Sequence, residues 1–222
     1  MRRKSDGVIY LLVYVDDIIL TGSTLSSLES LLSTLQKEFA LKDLGALSLF
    51  LGVEATSVPN GLFLSQRRYI EDLLERANMQ GAKPVSTPFS TSIDIHPTGG
   101  TLLSNPTHYR SLVGGLQYLL ITRPEIAFAV NNVCQYMQSP TDKHMFLVKR
   151  ILRYLQGTSS FGILLQPSPS LKLRFQAYTD ADWAGNQLDR RSTSGHCVFL
   201  GPNIISWSAR KHKTVSKSST EA

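Results

Sequence analysis

The sequence predicts an α+β fold, and three observations carry that expectation. Runs of β-branched and aromatic residues near the N-terminus and again past residue 170 read as strands. Apolar residues at helical spacing mark separate segments between residues 24 and 157. Turn sequences rich in Gly, Pro, Asn and Ser punctuate the intervals.

The first element carries the most chemistry. Val8–Val15 and Ile18–Leu20 flank Asp16-Asp17 and read as a β-hairpin with both carboxylates at its tip. A carboxylate set among apolar residues is costly to desolvate unless a cation meets it. Hard oxygen donors of this kind suit Mg²⁺, which takes one or two carboxylates and completes its shell with water and substrate phosphate. A pair of such ions clamps the attacking and leaving oxygens of a phosphoryl transfer. A plain Asp-Asp turn between two core strands is the other reading of the same residues.

Thr24 to Phe39 is predicted helical, with Leu28, Leu31, Leu32, Leu35 and Phe39 on one stripe and a cap at Ser23 or in a Ser26–Glu29 capping box. Gly45 ends this segment. Leu47–Ala55 and Leu62–Ser65 are predicted strands joined through Pro59-Asn60-Gly61. Gln66–Met79 follows as a helix with Ile70, Leu73, Leu74 and Ala77 inward. Residues 80–106 lack periodicity and are expected to be a mobile connector. Three helices are predicted next: Thr107–Ile121, Pro124–Met137 with Pro in the first turn, and one after Ser139-Pro140 that ends at Gly157. Beyond the break at Gln166–Ser170, Leu173–Thr179, Ser194–Leu200 and Ile204–Ser208 are predicted strands, with Asp180 ending the first and Gly201-Pro202-Asn203 turning the last pair. Ser218–Glu221 reads as the start of a helix.

The net charge of +6 is unevenly spread: residues 1–111 carry 10 basic and 11 acidic side chains, residues 112–222 carry 13 and 6. The basic clusters Lys149-Arg150-Arg153, Arg190-Arg191 and Arg210-Lys211-Lys213-Lys217 fit a phosphate backbone, or a solvated basic face. Cys134 and Cys197 are too few for a disulfide framework, and no Cys/His cluster has zinc spacing. No stretch approaches a membrane span. The expectation is a soluble, reduced, intracellular protein with no membrane partner.

Tyr14-Val15-Asp16-Asp17, in the setting LLVYVDDIILTGS, resembles the catalytic turn of reverse transcriptases of copia-type long-terminal-repeat retrotransposons. The likeness continues through FLGVEA (50–55), LSQRRYIEDLLERANM (64–79), YRSLVGGLQYLLITRPEIAFAVN (109–131), ILRYLQGT (151–158), AYTDADWAG (177–185), RRSTSGHCVFLG (190–201), ISWSARKH (205–212) and SKSSTEA (216–222), in the order these blocks hold in copia-type Pol polyproteins. The chain also resembles open reading frames cut out of such elements in plant genomes, including mitochondrial ones.

The resemblance implies a partial reverse-transcriptase palm with β-hairpins over 1–90, a connector over 91–106, a helical thumb over 107–158, a linker over 159–170 and a truncated ribonuclease H-like sheet over 171–222. It implies that Asp16 and Asp17 hold catalytic Mg²⁺ and that Tyr14 lines the turn near a primer end. Asp180 and Glu221 match two catalytic, metal-holding carboxylates of ribonuclease H, whereas Asp182 has no assigned role. Lys149, Arg150 and Arg153 on the third helix would meet a duplex backbone, a solvated helix face being the other reading. The implied partners are an RNA or DNA template-primer, deoxynucleoside triphosphates and further Pol segments. In this family a third polymerase aspartate lies well upstream, and ribonuclease H has a later aspartate. Both sites are therefore expected to be incomplete and the isolated chain inactive. The alternatives are a non-catalytic nucleic-acid-binding protein that uses the basic second half, and a retroelement remnant without a role. The compartment is left open, mitochondrial if the gene lies in or derives from a plant organelle genome.

Overall fold

The structure, a computed structural model, describes residues 3–4, 7–90, 99–168, 174–186 and 189–221. It is a mixed helix-and-sheet fold, as expected, and divides into two compact units, residues 1–51 and 52–222.

In the first unit, β1 (Arg3–Lys4), β2 (Gly7–Tyr14) and β3 (Asp17–Gly22) form an antiparallel sheet in that order. The β2–β3 register runs from Ile9 opposite Gly22 to Tyr14 opposite Asp17. Ser23 closes the open end of this ribbon. Its amide donates to the Val8 carbonyl at 3.0 Å, and its Oγ accepts from the Val8 amide at 3.0 Å. The helix α1 (Leu25–Glu38) follows, then a two-residue strand β4 (Leu49–Phe50). The leucine stripe is correctly placed: Leu28, Leu31, Leu32 and Leu35 are half-buried. No α1 residue is fully buried, however. Phe39 departs from the expected stripe, because it is the C-cap, in extended backbone at φ −132°, and is exposed. The N-cap is Thr24, whose hydroxyl bonds Ser27 Oγ instead of a helix amide; neither Ser23 nor Ser26 serves as the cap.

In the second unit, β5 (Val53–Val58) and β6 (Gly61–Ser65) pair across the Pro59-Asn60 turn, and α2 (Arg67–Arg76) buries Ile70, Leu73 and Leu74. Residues 80–90 are not loose. Arg153 Nε donates to the Lys83 carbonyl at 2.7 Å, Arg150 Nη2 donates to Thr87 Oγ1 at 3.0 Å, and Val85 and Phe89 pack against the core. The expected connector thus begins as a strap tied to a helix. Its residues 91–98 lie outside the described residues. Past them, the Thr101 amide donates to Asp142 Oδ1 at 3.0 Å and Leu103 joins the core.

Helices α3 (Pro106–Leu119), α4 (Ala127–Cys134) and α5 (Asp142–Gly157) form the bundle. Asn105 caps α3 by accepting from the His108 amide, with Pro106 in the first turn. The predicted helix Pro124–Met137 splits instead. Pro124–Ile126 is a 3₁₀ turn, and residues 135–137 tighten into i→i−3 bonds. The largest apolar cluster combines α2 with α3, α4 and α5, including Tyr109, Leu112, Leu116, Val130, Val148, Leu152 and Leu155. Burial pushes the Tyr109 phenol well above its usual pKa range, and its hydroxyl donates to the Val133 carbonyl at 2.7 Å.

A strand stands inside the expected 159–170 linker: β7 (Gly162–Leu165) pairs antiparallel with β6 and adds the buried Ile163 to the interior. Four residues with no alternation give too short a signal to read from sequence. The last sheet is β8 (Phe175–Asp182), β9 (Thr193–Leu200) and β10 (Asn203–Lys211), with β9 central. Gly201, at φ +58°, opens the tight turn into β10 with Pro202 fixed after it. The expected start of β8 at Leu173 lies outside the described residues.

Candidate functional site

The hairpin tip is a two-residue turn, Val15-Asp16, closed by the Tyr14–Asp17 pair. Asp16 therefore occupies the turn and Asp17 is the first residue of β3, directly after it. Val15 has φ +52°, a left-handed conformation that a β-branched residue rarely takes. Backbone strain of this kind clusters at functional sites, although Leu51, Asn78, Ala184 and Arg190 also take positive φ here.

The tip is also open. Val15 is 85% exposed and Tyr14 54%, and Asp16 and Asp17 are exposed. This corrects the desolvation argument from sequence: the surrounding run is apolar, but Tyr10–Val15 and Ile18 are themselves uncovered, so both carboxylates reach water. The residues fit a partial Mg²⁺ site. Two adjacent hard-oxygen donors on an open tip suit an ion that draws the rest of its shell from water and phosphate. Among the described residues no group of three or more His, Cys, Asp or Glu side chains is assembled to hold a metal.

The C-terminal carboxylates sit on different elements. Asp180 lies within β8, opposite Gly195; the strand runs two residues past it, so Asp180 does not end it. Its Oδ1 accepts from the Ala181 amide at 2.9 Å. Glu221 falls in a 3₁₀ turn, Ser219–Glu221, where one carboxylate oxygen accepts from the Lys217 amide at 2.9 Å. Each keeps a second oxygen outside those bonds.

The cations of α5 divide by role. Lys149 is exposed. Arg150 and Arg153 are half-buried and direct donors to the strap, so part of each guanidinium is committed inside the molecule. Lys211, in the expected basic run, bridges Asp189 Oδ2 at 2.8 Å and Gln135 Oε1 at 3.0 Å. Partial burial works to raise the pKa of Asp189, but the Lys211 hydrogen bond, the Arg191 amide and both charges outweigh it and hold the carboxyl low.

Sequence reasoning gave no role to Arg123, which is 1% exposed. It joins Glu125 at 2.6 Å, the Thr158 carbonyl at 3.0 Å and Thr158 Oγ1 at 2.6 Å, and lies over the Tyr154 and Phe161 rings. Its signal in the sequence was the Arg-Pro-Glu spacing at the head of a helix. Cys134 lines a cleft of about 350 Å³ between the helices and β10, beside Trp207. Burial pushes its thiol up to about 11, against a Gln117 hydrogen bond that works downward.

The family model described as reverse transcriptase (RNA-dependent DNA polymerase) matches residues 1–91. The chain is 51% identical over 220 residues to the retrovirus-related Pol polyprotein from transposon RE1 of Arabidopsis thaliana, covering 99% of this chain and 15% of that protein. It is 40% identical over 235 residues to the corresponding polyprotein from transposon TNT 1-94 of Nicotiana tabacum, covering 100% of this chain and 17% of that protein. With the mitochondrial protein AtMg00810 of Arabidopsis thaliana it shares 49% identity over 212 residues, 96% of this chain and 87% of the relative. The chain belongs to the reverse-transcriptase family of copia-type Pol polyproteins and their mitochondrial-type open reading frames. It spans about 15% of the RE1 polyprotein. No solved structure matches it significantly.

Proposed function

We propose that residues 1–90 are the carboxylate-bearing end of a reverse-transcriptase palm, that α3–α5 serve as a thumb, and that β8–β10 open a ribonuclease H-like sheet. The observation that supports this most is the hairpin tip, where Asp16 and Asp17 stand side by side and exposed at a strained turn. In RNA-templated DNA synthesis, bound Mg²⁺ supplies charge stabilisation to the phosphates of the incoming nucleotide. Asp16 and Asp17 would hold it, and Tyr14, opposite Asp17, would flank the primer end. Asp180 and Glu221 would serve the nuclease site, with exposed Lys149 facing a nucleic-acid backbone and Arg150 and Arg153 meeting it only through the guanidinium edges not given to the strap. Two exposed carboxylates by themselves offer weak Mg²⁺ ligation, and on this reading the isolated chain is inactive. A primed RNA template with Mg²⁺ and deoxynucleotides is expected to give no extension above the Asp16→Asn background. Asp16-dependent extension by the chain alone would overturn this.

The charge of the second half favours a second reading, non-catalytic nucleic-acid binding, in which exposed Lys149, Arg190, Arg210, Lys213 and Lys217 meet phosphates. Binding that falls steeply with salt and is unchanged by Asp16→Asn with Asp17→Asn supports it. Salt-independent binding rules it out. A retroelement remnant without a role predicts no stable protein in cells. A mitochondrial location rests on the name of AtMg00810, and imaging of a tagged chain tests it. Among the described residues, no helix is long and apolar enough to cross a membrane.

A further inference from the structure

Beneath the strap formed by residues 83–90 lies a small cavity of about 10 Å³, whose lining includes Phe89, Ser90, Ala129, Asn132, Arg150 and Ile151. Asn132 is 5% exposed. Its Oδ1 and the Nε of Arg150 are buried, and neither is hydrogen-bonded to protein. The same Arg150 is already oriented, because its Nη2 donates to Thr87 Oγ1, which in turn donates to the Phe89 carbonyl at 2.6 Å. Buried polar groups in folded proteins are paired, with protein or with ordered water. A space of about one water-sized sphere with two polar partners meets the requirements for a buried water, whereas dry cavities are apolar throughout.

We propose that this cavity is a specific binding site for a single water molecule, which accepts from Arg150 Nε and donates to Asn132 Oδ1. The water joins α4 to α5 directly beneath the strap. The chemistry disfavours the competing small ligands. The guanidinium repels a cation, and a halide is the competitor that the test below separates from water. The volume excludes anything larger than a few atoms.

The test uses the full chain. A crystal structure at a resolution that orders single waters is expected to show one water within hydrogen-bond distance of both atoms. In solution, water is expected to give cross-relaxation to the Val133 and Ile151 methyl groups. That signal should be lost in Asn132→Leu, which removes the acceptor, and in Ala129→Val, which fills the cavity while leaving both polar groups. Three results overturn the proposal: a direct Asn132–Arg150 bond with no water between them, an anomalous bromide peak in the cavity after halide exchange, or a methyl–water signal that persists in both variants.

Discussion

Val15 carries the clearest local conflict in the chain. A β-branched side chain at φ +52° costs roughly 1–2 kcal/mol, which glycine would avoid. Val15→Gly is expected to stabilise the ribbon by about 1 kcal/mol, read as slower amide exchange across β2 and β3. Faster exchange would mean that the turn is not strained. The same valine lies between Tyr14 and Asp16, so relief of strain would also loosen the placement of the carboxylates. Cys134 gives a second check. With its pKa pushed up to about 11 from 9.0, it holds about a hundredfold less thiolate below pH 9 than an ordinary thiol. Maleimide labelling of Cys134 at neutral pH should be slow and should accelerate up to pH 11; rapid labelling at pH 7 would contradict the burial that raises it.

Elements with equally clear sequence periodicity end up in different energetic positions. The stripes of α1 and α2 read alike, yet α2 buries Ile70, Leu73 and Leu74 while α1 buries nothing fully. The difference lies in what each stripe meets. The α2 residues face α3 and α5, whereas α1 meets a thin ribbon whose own residues remain exposed. Arg123 shows an element boundary held by one side chain, because it links the turn before α4 to the end of α5 through Thr158. Arg123→Ala should destabilise the second unit by about 3 kcal/mol, since several charge-assisted bonds in a buried site are lost together. A thermal melt unchanged by this substitution would show that the contacts carry no net energy.

Across the whole chain, burial is concentrated in residues 52–222. All the fully buried hydrophobic residues described fall there, beginning with Ala55. Leu152→Ala, at a fully buried site, is expected to cost about 2–5 kcal/mol of unfolding free energy. Leu31→Ala, on a half-buried stripe, should cost about 1 kcal/mol or less. Native-state amide exchange should show the strongest protection in α3 and α5 and little in α1; comparable protection in α1 would require a cover for the first unit that burial does not show. The uncovered Tyr10–Val15 run, apolar and free of charge, is also the segment most prone to pair with other chains.

Local chemistry was legible in the residues themselves. The hairpin around Asp16-Asp17, the helical stripes and the Gly201-Pro202 turn depend on neighbours a few positions away, and each formed where the pattern put it, within a few residues; the Asn105 cap and Pro106 start of α3 were not read. The α+β class followed from the same short-range signals, and the family from the collinear blocks that resemble copia-type Pol polyproteins. Long-range packing was not legible. Periodicity cannot say which apolar face finds a partner, so it could not show that the ribbon stays open or that Arg150 and Arg153 turn inward to hold a strap. Nor could it show that Gly162–Leu165 completes a sheet begun more than a hundred residues earlier. Those outcomes depend on distant segments meeting, and apolar burial and the pairing of buried polar groups are fixed only when they do.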